Sequence, residues 1–182
     1  GPITTRVELR RVHVTGGTAF VTDVRGAERC FTLAISDSAF NSTLNIDLGT
    51  PNTDRTVALR RVNITTAPHA NVALPVKVSK PNQQIIFSWS FEDCEFVSTN
   101  ADASQRRTAM SLALGATNLD NFVLDVRRTR FHGFYRAIET TGCGRHLSGL
   151  LRLVDVQSLP TTPYHPGTNI ETDALFVHGC SS

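Results

Sequence analysis

Val57-Ala58-Leu59-Arg60-Arg61-Val62-Asn63-Ile64 is the stretch that decides the fold. It reads apolar, any, apolar, any, any, small-or-Val, any, apolar. Upstream the same frame returns as Val7-Glu8-Leu9-Arg10-Arg11-Val12-His13-Val14 and Leu33-Ala34-Ile35-Ser36-Asp37-Ser38-Ala39-Phe40. Downstream it is Trp89-Ser90-Phe91-Glu92-Asp93-Cys94-Glu95-Phe96 and Leu124-Asp125-Val126-Arg127-Arg128-Thr129-Arg130-Phe131. A sixth copy, 151–158, keeps Leu151, Leu153 and Val156 but ends on Ser158, and a partial seventh opens at Leu175-Phe176-Val177. Between third positions the steps are 26, 24, 32, 35, 27 and 24 residues. A unit repeating at this period signals a solenoid. Alternation within each copy makes it a strand with one buried face. One such strand per turn predicts an all-β chain: a right-handed, single-stranded parallel β-helix of about seven coils.

The sixth position holds Val12, Ser38, Val62, Cys94, Thr129 and Val156, all small enough for the inside of a bend. At the eighth, Phe40, Phe96 and Phe131 return to the interior. Weaker alternating runs between the copies, at 19–22, 44–48, 72–78, 111–114 and 135–138, are expected to form the other sheets. Gly16-Gly17, Pro51-Asn52, Pro81-Asn82 and Pro166-Gly167 supply turn chemistry between strands. Polar or proline-rich insertions at 66–71, 80–84, 98–107 and 160–167 are the expected binding-side loops, because insertions in repeat folds gather on one face.

Over 7–180 these repeated frames resemble the right-handed parallel β-helix (pectate-lyase-like) superfamily, whose coils often read apolar-x-x-[Asn/Ser/Cys]-x-Phe. The resemblance implies the fold and leaves function open, since pectin-cleaving enzymes, viral tailspikes and adhesins share it. The phrases 57–62 and 87–100 also resemble the dispersed gene family surface proteins of trypanosomes. That likeness implies an adhesin-like surface protein with a β-helical ectodomain.

A chain of 182 residues suits one domain with a sizeable core. Gly1-Pro2 reads as the scar of a cleaved tag, leaving 3–182 as a single β-helix domain. Neither end shows the atypical cap that solenoids carry, which suggests part of a longer rod. A net charge of +2 gives no argument for nucleic acid. No membrane-spanning stretch is visible, so a membrane link is expected only through the parent protein. The sequons at Asn41 and Asn63 point to an extracellular or cell-surface home if glycosylated. Cys30, Cys94, Cys143 and Cys180 fit no metal motif. Cys94 reads as a buried small hydrophobe. Cys143 and Cys180 can pair in an oxidising compartment, while three coils separate Cys94 from Cys180, too far for a bridge. Pairing among Cys30, Cys143 and Cys180 stays open.

The fifth position reads Arg11, Asp37, Arg61, Asp93, Arg128 and Asp155, alternating in sign throughout. Neighbouring strands lie about 4.8 Å apart, so these residues form a stacked ladder of opposite charges. It reads either as a stripe binding sugars or sulfate, or as an ion-pair ladder that fixes register. The second reading is preferred, because register selection needs only a penalty against the wrong stack. Asp37, Asp93 and Asp155 stand two levels apart at about 9–10 Å, close to the roughly 6.5–9.5 Å between the carboxylates of inverting glycosidases. The arginine between each pair lowers their pKa values, the wrong direction for a general acid. The tandem aspartates and Gly-His-Gly runs of pectin hydrolases are missing, as is the acidic cluster a calcium-dependent lyase needs. The six histidines are scattered, and Arg106-Arg107 and Arg127-Arg128 with Arg130 form local basic spots.

These readings converge on a non-catalytic structural or adhesive module of a secreted or surface protein, without cofactor or metal. Its expected partners are carbohydrate or a host surface or matrix protein. The alternative is a polysaccharide-processing domain of lyase or glycoside-hydrolase type.

Overall fold

The computed structural model describes residues 4–22, 30–49, 53–66, 70, 72–78, 86–99, 108–113, 119–134, 136–141, 147–159 and 176–177. Sixteen strands and no helix occur among them. They are β1 (Thr4–Arg10), β2 (His13–Val14), β3 (Thr18–Thr22), β4 (Cys30–Phe40), β5 (Thr43–Asp47), β6 (Arg55–Thr66), β7 (Val72–Lys77) and β8 (Phe87–Glu92). The chain continues through β9 (Glu95–Ser98), β10 (Thr108–Ala113), β11 (Leu119–Arg127), β12 (Arg130–His132), β13 (Arg136–Thr141), β14 (Leu147–Val154), β15 (Gln157–Leu159) and β16 (Phe176–Val177).

All pairings are parallel and fall into two sheets. The ten-stranded first sheet holds the eight-residue frames. Its levels run β1/β2, β4, β6, β8/β9, β11/β12, β14/β15. The six-stranded second sheet runs β3, β5, β7, β10, β13, β16. The chain thus visits the first sheet, crosses to the second, and returns one level further on, an arrangement compatible with a β-helix.

Register aligns the frames residue for residue. Leu9 pairs with Ile35, Ile35 with Leu59, Leu59 with Phe91, Phe91 with Val126 and Val126 with Leu153. Phe40, Ile64, Phe96 and Phe131 form a second column, with the rings of Phe96 and Phe131 stacked 5.1 Å apart. Both interior columns are those the sequence predicts. Trp89 lies between Val57 and Leu124 and meets Phe122 edge-on. Leu74, Val76, Met110, Leu112 and Ile138 close the core from the second sheet.

Two expectations change, and a buried charge joins the core. Leu153 belongs to its column but is 40% exposed, because no described strand lies beyond β14 in the first sheet. The expected seventh frame does not extend that sheet: β16 pairs with β13 in the second. A charged residue, Arg55, is fully buried in the column between Phe31 and Phe87. Its Nη1 donates to the carbonyl oxygens of Thr53 and Asp54 at 3.0 and 3.1 Å and to Thr53 Oγ1 at 2.8 Å, so the charge is met by local oxygens. The weaker runs do form the second sheet, as β3, β5, β7, β10 and β13. The insertions at 80–84 and 160–167 lie outside the described residues, as do 67–69 and 71 of the one at 66–71 and 100–107 of the one at 98–107. So do Cys143, Cys180, His69, His146, His165 and His178.

Phe91 is 1% exposed and packed between two levels. Phe91→Ala should cost about 3–5 kcal/mol through the cavity it leaves, measured by denaturant unfolding.

Candidate functional site

The ladder sits where each frame breaks its alternation. Positions one and three face inward, and so do six and eight, which leaves two consecutive outward residues between them. Strict strand geometry would turn the fifth residue inward. The structure avoids this with a left-handed backbone at every fifth position: Arg11 (φ 57°), Asp37 (52°), Arg61 (52°), Asp93 (53°), Arg128 (46°) and Asp155 (53°). These are all the described non-glycine residues with positive φ. Aspartate tolerates this region better than most side chains, whereas arginine has no such preference.

Two regular sets of hydrogen bonds hold the bend. The fifth amide donates to the fourth carbonyl of the next level, as in Arg11 to Ser36 (3.1 Å), Asp93 to Arg127 (3.1 Å) and Arg128 to Val154 (2.8 Å). Where the sixth residue carries a donor, its side chain reaches the fourth carbonyl of its own level. Ser38 to Ser36 spans 2.7 Å, Thr129 to Arg127 2.9 Å and Cys94 to Glu92 3.3 Å. The small sixth residue thus lies inside the bend as expected, while the fifth makes it. Burial pushes the Cys94 thiol up to about 11, so it stays protonated as a compact core group. Cys30 and Cys94 are free thiols.

The ladder resolves into directed pairs. Arg61 Nε and Nη2 donate to Asp37 Oδ1 and Oδ2 at 2.5 and 3.0 Å. Arg128 repeats this with Asp93 at 2.6 and 3.3 Å and also bonds Glu92. Each of these arginines reaches back to the aspartate one level earlier. The hydrogen bond from Arg61 holds the Asp37 carboxyl below its ordinary range, and that from Arg128 does the same to Asp93. Arg10 and Arg60 add contacts to Asp37 and Glu92 at 3.8 and 3.6 Å. Arg11 and Asp155, the two ends of the ladder, make no ion pair among the described residues.

Beside the bend the seventh position forms another outward column, His13, Ala39, Asn63, Glu95, Arg130 and Gln157. The two columns enclose an open groove of about 420 Å3, lined by Asp93, Glu95, Arg128, Arg130, Asp155 and Gln157 with Cys94. The sequence reading singled out the ladder but missed Glu95 and Gln157, although the same frame places both outward. The basic spot at 127–130 is largely neutralised. Arg127 pairs with Asp125 at 2.7 Å and Arg128 with its two acids, while Arg130 has no ion-pair partner among the described residues. Glu95 contacts His132 at 3.2 Å and accepts from Asn63 Nδ2 at 3.3 Å. Asn41 and Asn63, the sequon asparagines, are both exposed. Among the described residues no group of three or more His, Cys, Asp or Glu is arranged to hold a metal. Likewise, no helix among them is long and apolar enough to cross a membrane.

No known family matches the chain, and neither a curated protein nor a solved structure matches it. The likeness to β-helical proteins therefore rests on the repeated frame and on the parallel sheets it builds.

Two measurements probe the bend. Glycine enters the left-handed region without strain, whereas alanine does not. Arg61→Gly and Arg61→Ala lose the same ion pair, so Arg61→Gly should melt about 2–4 °C higher, as a thermal scan would show. The second measurement is pH dependence. Asp37 and Asp93 have folded pKa values below the ordinary 3.8, so their contribution is fully present above that value. It is lost as pH falls through the folded values. Melting temperature should therefore drop between pH 5 and about 2, and less steeply in Asp37→Asn.

Proposed function

We propose that the chain is a right-handed, single-stranded parallel β-helix serving as a structural and adhesive module of a secreted or cell-surface protein. Its ladder face binds carbohydrate, either free glycans or those of a host surface or matrix. The fold part rests on the two in-register parallel sheets visited alternately by the chain. Six levels of the first sheet and six strands of the second correspond to six two-sheet coils among the described residues. Right-handedness follows from the rule for crossovers between parallel strands.

The observation that carries the binding reading is the groove beside the bend. Arg130 and Asp155, unpaired among the described residues, stand there with Glu95 and Gln157. Such planar donors and acceptors match vicinal sugar hydroxyls, and an arginine free of intramolecular acids can take a carboxylate or sulfate. The satisfied Arg128–Asp93 pair forms the wall and keeps its geometry. Catalysis is disfavoured by the hydrogen bonds that lower the pKa values of Asp37 and Asp93, because a general acid needs the opposite shift. Exposed Asn41 and Asn63 suit glycosylation at the same surface.

A glycan array followed by calorimetry tests the reading. The protein should bind acidic glycans without cleaving them, with or without calcium. Arg130→Ala should weaken binding at least about tenfold while stability stays within about 0.5 kcal/mol. Absence of binding, or binding unchanged by Arg130→Ala and Glu95→Gln, would sink it. Cleavage products lost in Asp93→Asn would instead establish an enzyme.

A further inference from the structure

Two residues past the inward eighth position, alternation turns one more side chain of each frame toward the interior. In three consecutive levels that side chain is a hydroxyl: Ser42 follows Phe40, Thr66 follows Ile64 and Ser98 follows Phe96. Thr66 pairs directly with Ser98, and the Phe40–Ile64 pair carries Ser42 to the same place one level earlier. All three are buried, at 0%, 2% and 8% exposure, and none of their hydroxyl oxygens has a hydrogen-bond partner among the described residues. The hydroxyls next to them do find one. Thr43 Oγ1 donates to the Val72 carbonyl at 3.2 Å, and Thr99 Oγ1 to the Thr66 carbonyl at 2.6 Å. A hydroxyl proton rotates to suit its surroundings, so a buried one that bonds nothing has no protein acceptor within reach. These levels lie in the middle of the stack, with described strands on both sides.

We infer that this column binds a file of two ordered waters, one between Ser42 and Thr66 and one between Thr66 and Ser98. Neighbouring levels stand about 4.8 Å apart. Hydroxyl oxygens bond each other only at about 2.5–3.0 Å, so the three cannot pair directly across that interval. One water between two levels reaches both oxygens at normal hydrogen-bond length, with an open angle that suits its own geometry. Thr66, in the centre, can donate to one water and accept from the other, because a hydroxyl carries one proton and two lone pairs. Burying a hydroxyl with no partner is costly. Valine has the shape of threonine, and alanine nearly that of serine, so an apolar column was open to this position at every level. Hydroxyls at three levels in a row, each beside a buried Phe or Ile, fit a hydrated column, since buried waters typically make two to four bonds to such groups. One level further the place belongs to Gly133, next after the His132–Val97 pair, and contributes no hydroxyl. The column faces inward, so the inference is independent of the carbohydrate reading.

Thr66→Val tests it, because valine keeps the shape and removes only the hydroxyl that both waters share. A high-resolution crystal structure of the unaltered protein should show two waters, each about 2.5–3.0 Å from two of the three hydroxyls. In solution, NMR should give cross-peaks between long-lived water and the amide protons around Thr66, and Thr66→Val should lose them. The variant should also melt about 2–4 °C lower, because the waters and both serines are left short of a partner. In a dry column the same change deletes an unpartnered buried hydroxyl, and melting stays level or rises. That result would overturn the inference. So would cross-peaks that persist in Thr66→Val, or a crystal structure with no water at the column or with a protein group bonded to the three hydroxyls instead.

Discussion

A single left-handed residue, placed at the same point in each of six stacked levels, is the constraint on which the rest of this structure depends. It lets two neighbouring side chains point outward in the middle of a strand and returns the next apolar residue to the interior. Without it, the sixth and eighth residues would face solvent, and the Phe40, Ile64, Phe96 and Phe131 column would not form. A lone bulge between two strands distorts their pairing. When every level carries the same irregularity, neighbours stay in register and the amide bonds across the bend survive, as those from Arg11, Asp93 and Arg128 show. The bend is therefore a property of the stack, and each level's conformation is supported by the levels beside it.

Alternating charge follows from that geometry. Six outward side chains crowded at strand spacing would repel if they shared a sign. Alternation turns the crowd into pairs whose bidentate geometry fixes which level follows which. The sixth-position hydroxyls and thiol add a local tie on the inner side of the same bend. Electrostatics outside and small polar donors inside thus brace one backbone conformation from both sides. Exposed ion pairs contribute little energy individually, so their effect lies in selecting register.

The interior was legible in the sequence, because apolar identity at positions one, three and eight repeats strongly enough to align distant segments by eye. Leu9, Ile35, Leu59, Phe91, Val126 and Leu153 share one column as the frame implies. The bend was half legible. Small residues at position six marked its place, but nothing about Arg11, Arg61 or Arg128 announces a positive φ, since arginine is no marker of that region. Arg55 shows where residue type misleads: alternation from Val57 points it inward, yet its charge argues against burial until Thr53 and Asp54 are seen to supply oxygens. The run at 175–180 resembled another frame because Leu175 and Val177 alternate, but two apolar positions cannot say which sheet a strand joins. The groove needed coordinates, since Glu95 and Gln157 gain meaning only once β9, β12 and β15 lie side by side.

Cys94 gives this architecture a built-in clock. Its thiol is 2% exposed, hydrogen-bonded to the carbonyls of Glu92 and Leu59, and held protonated well above neutrality. A sulfur in that state reacts with alkylating reagents only when the levels around it part. Its modification rate in native buffer therefore reports how often the middle of the stack opens, while the more accessible Cys30 provides an internal reference. Two native thiols thereby distinguish opening of the interior from reaction at a more accessible site.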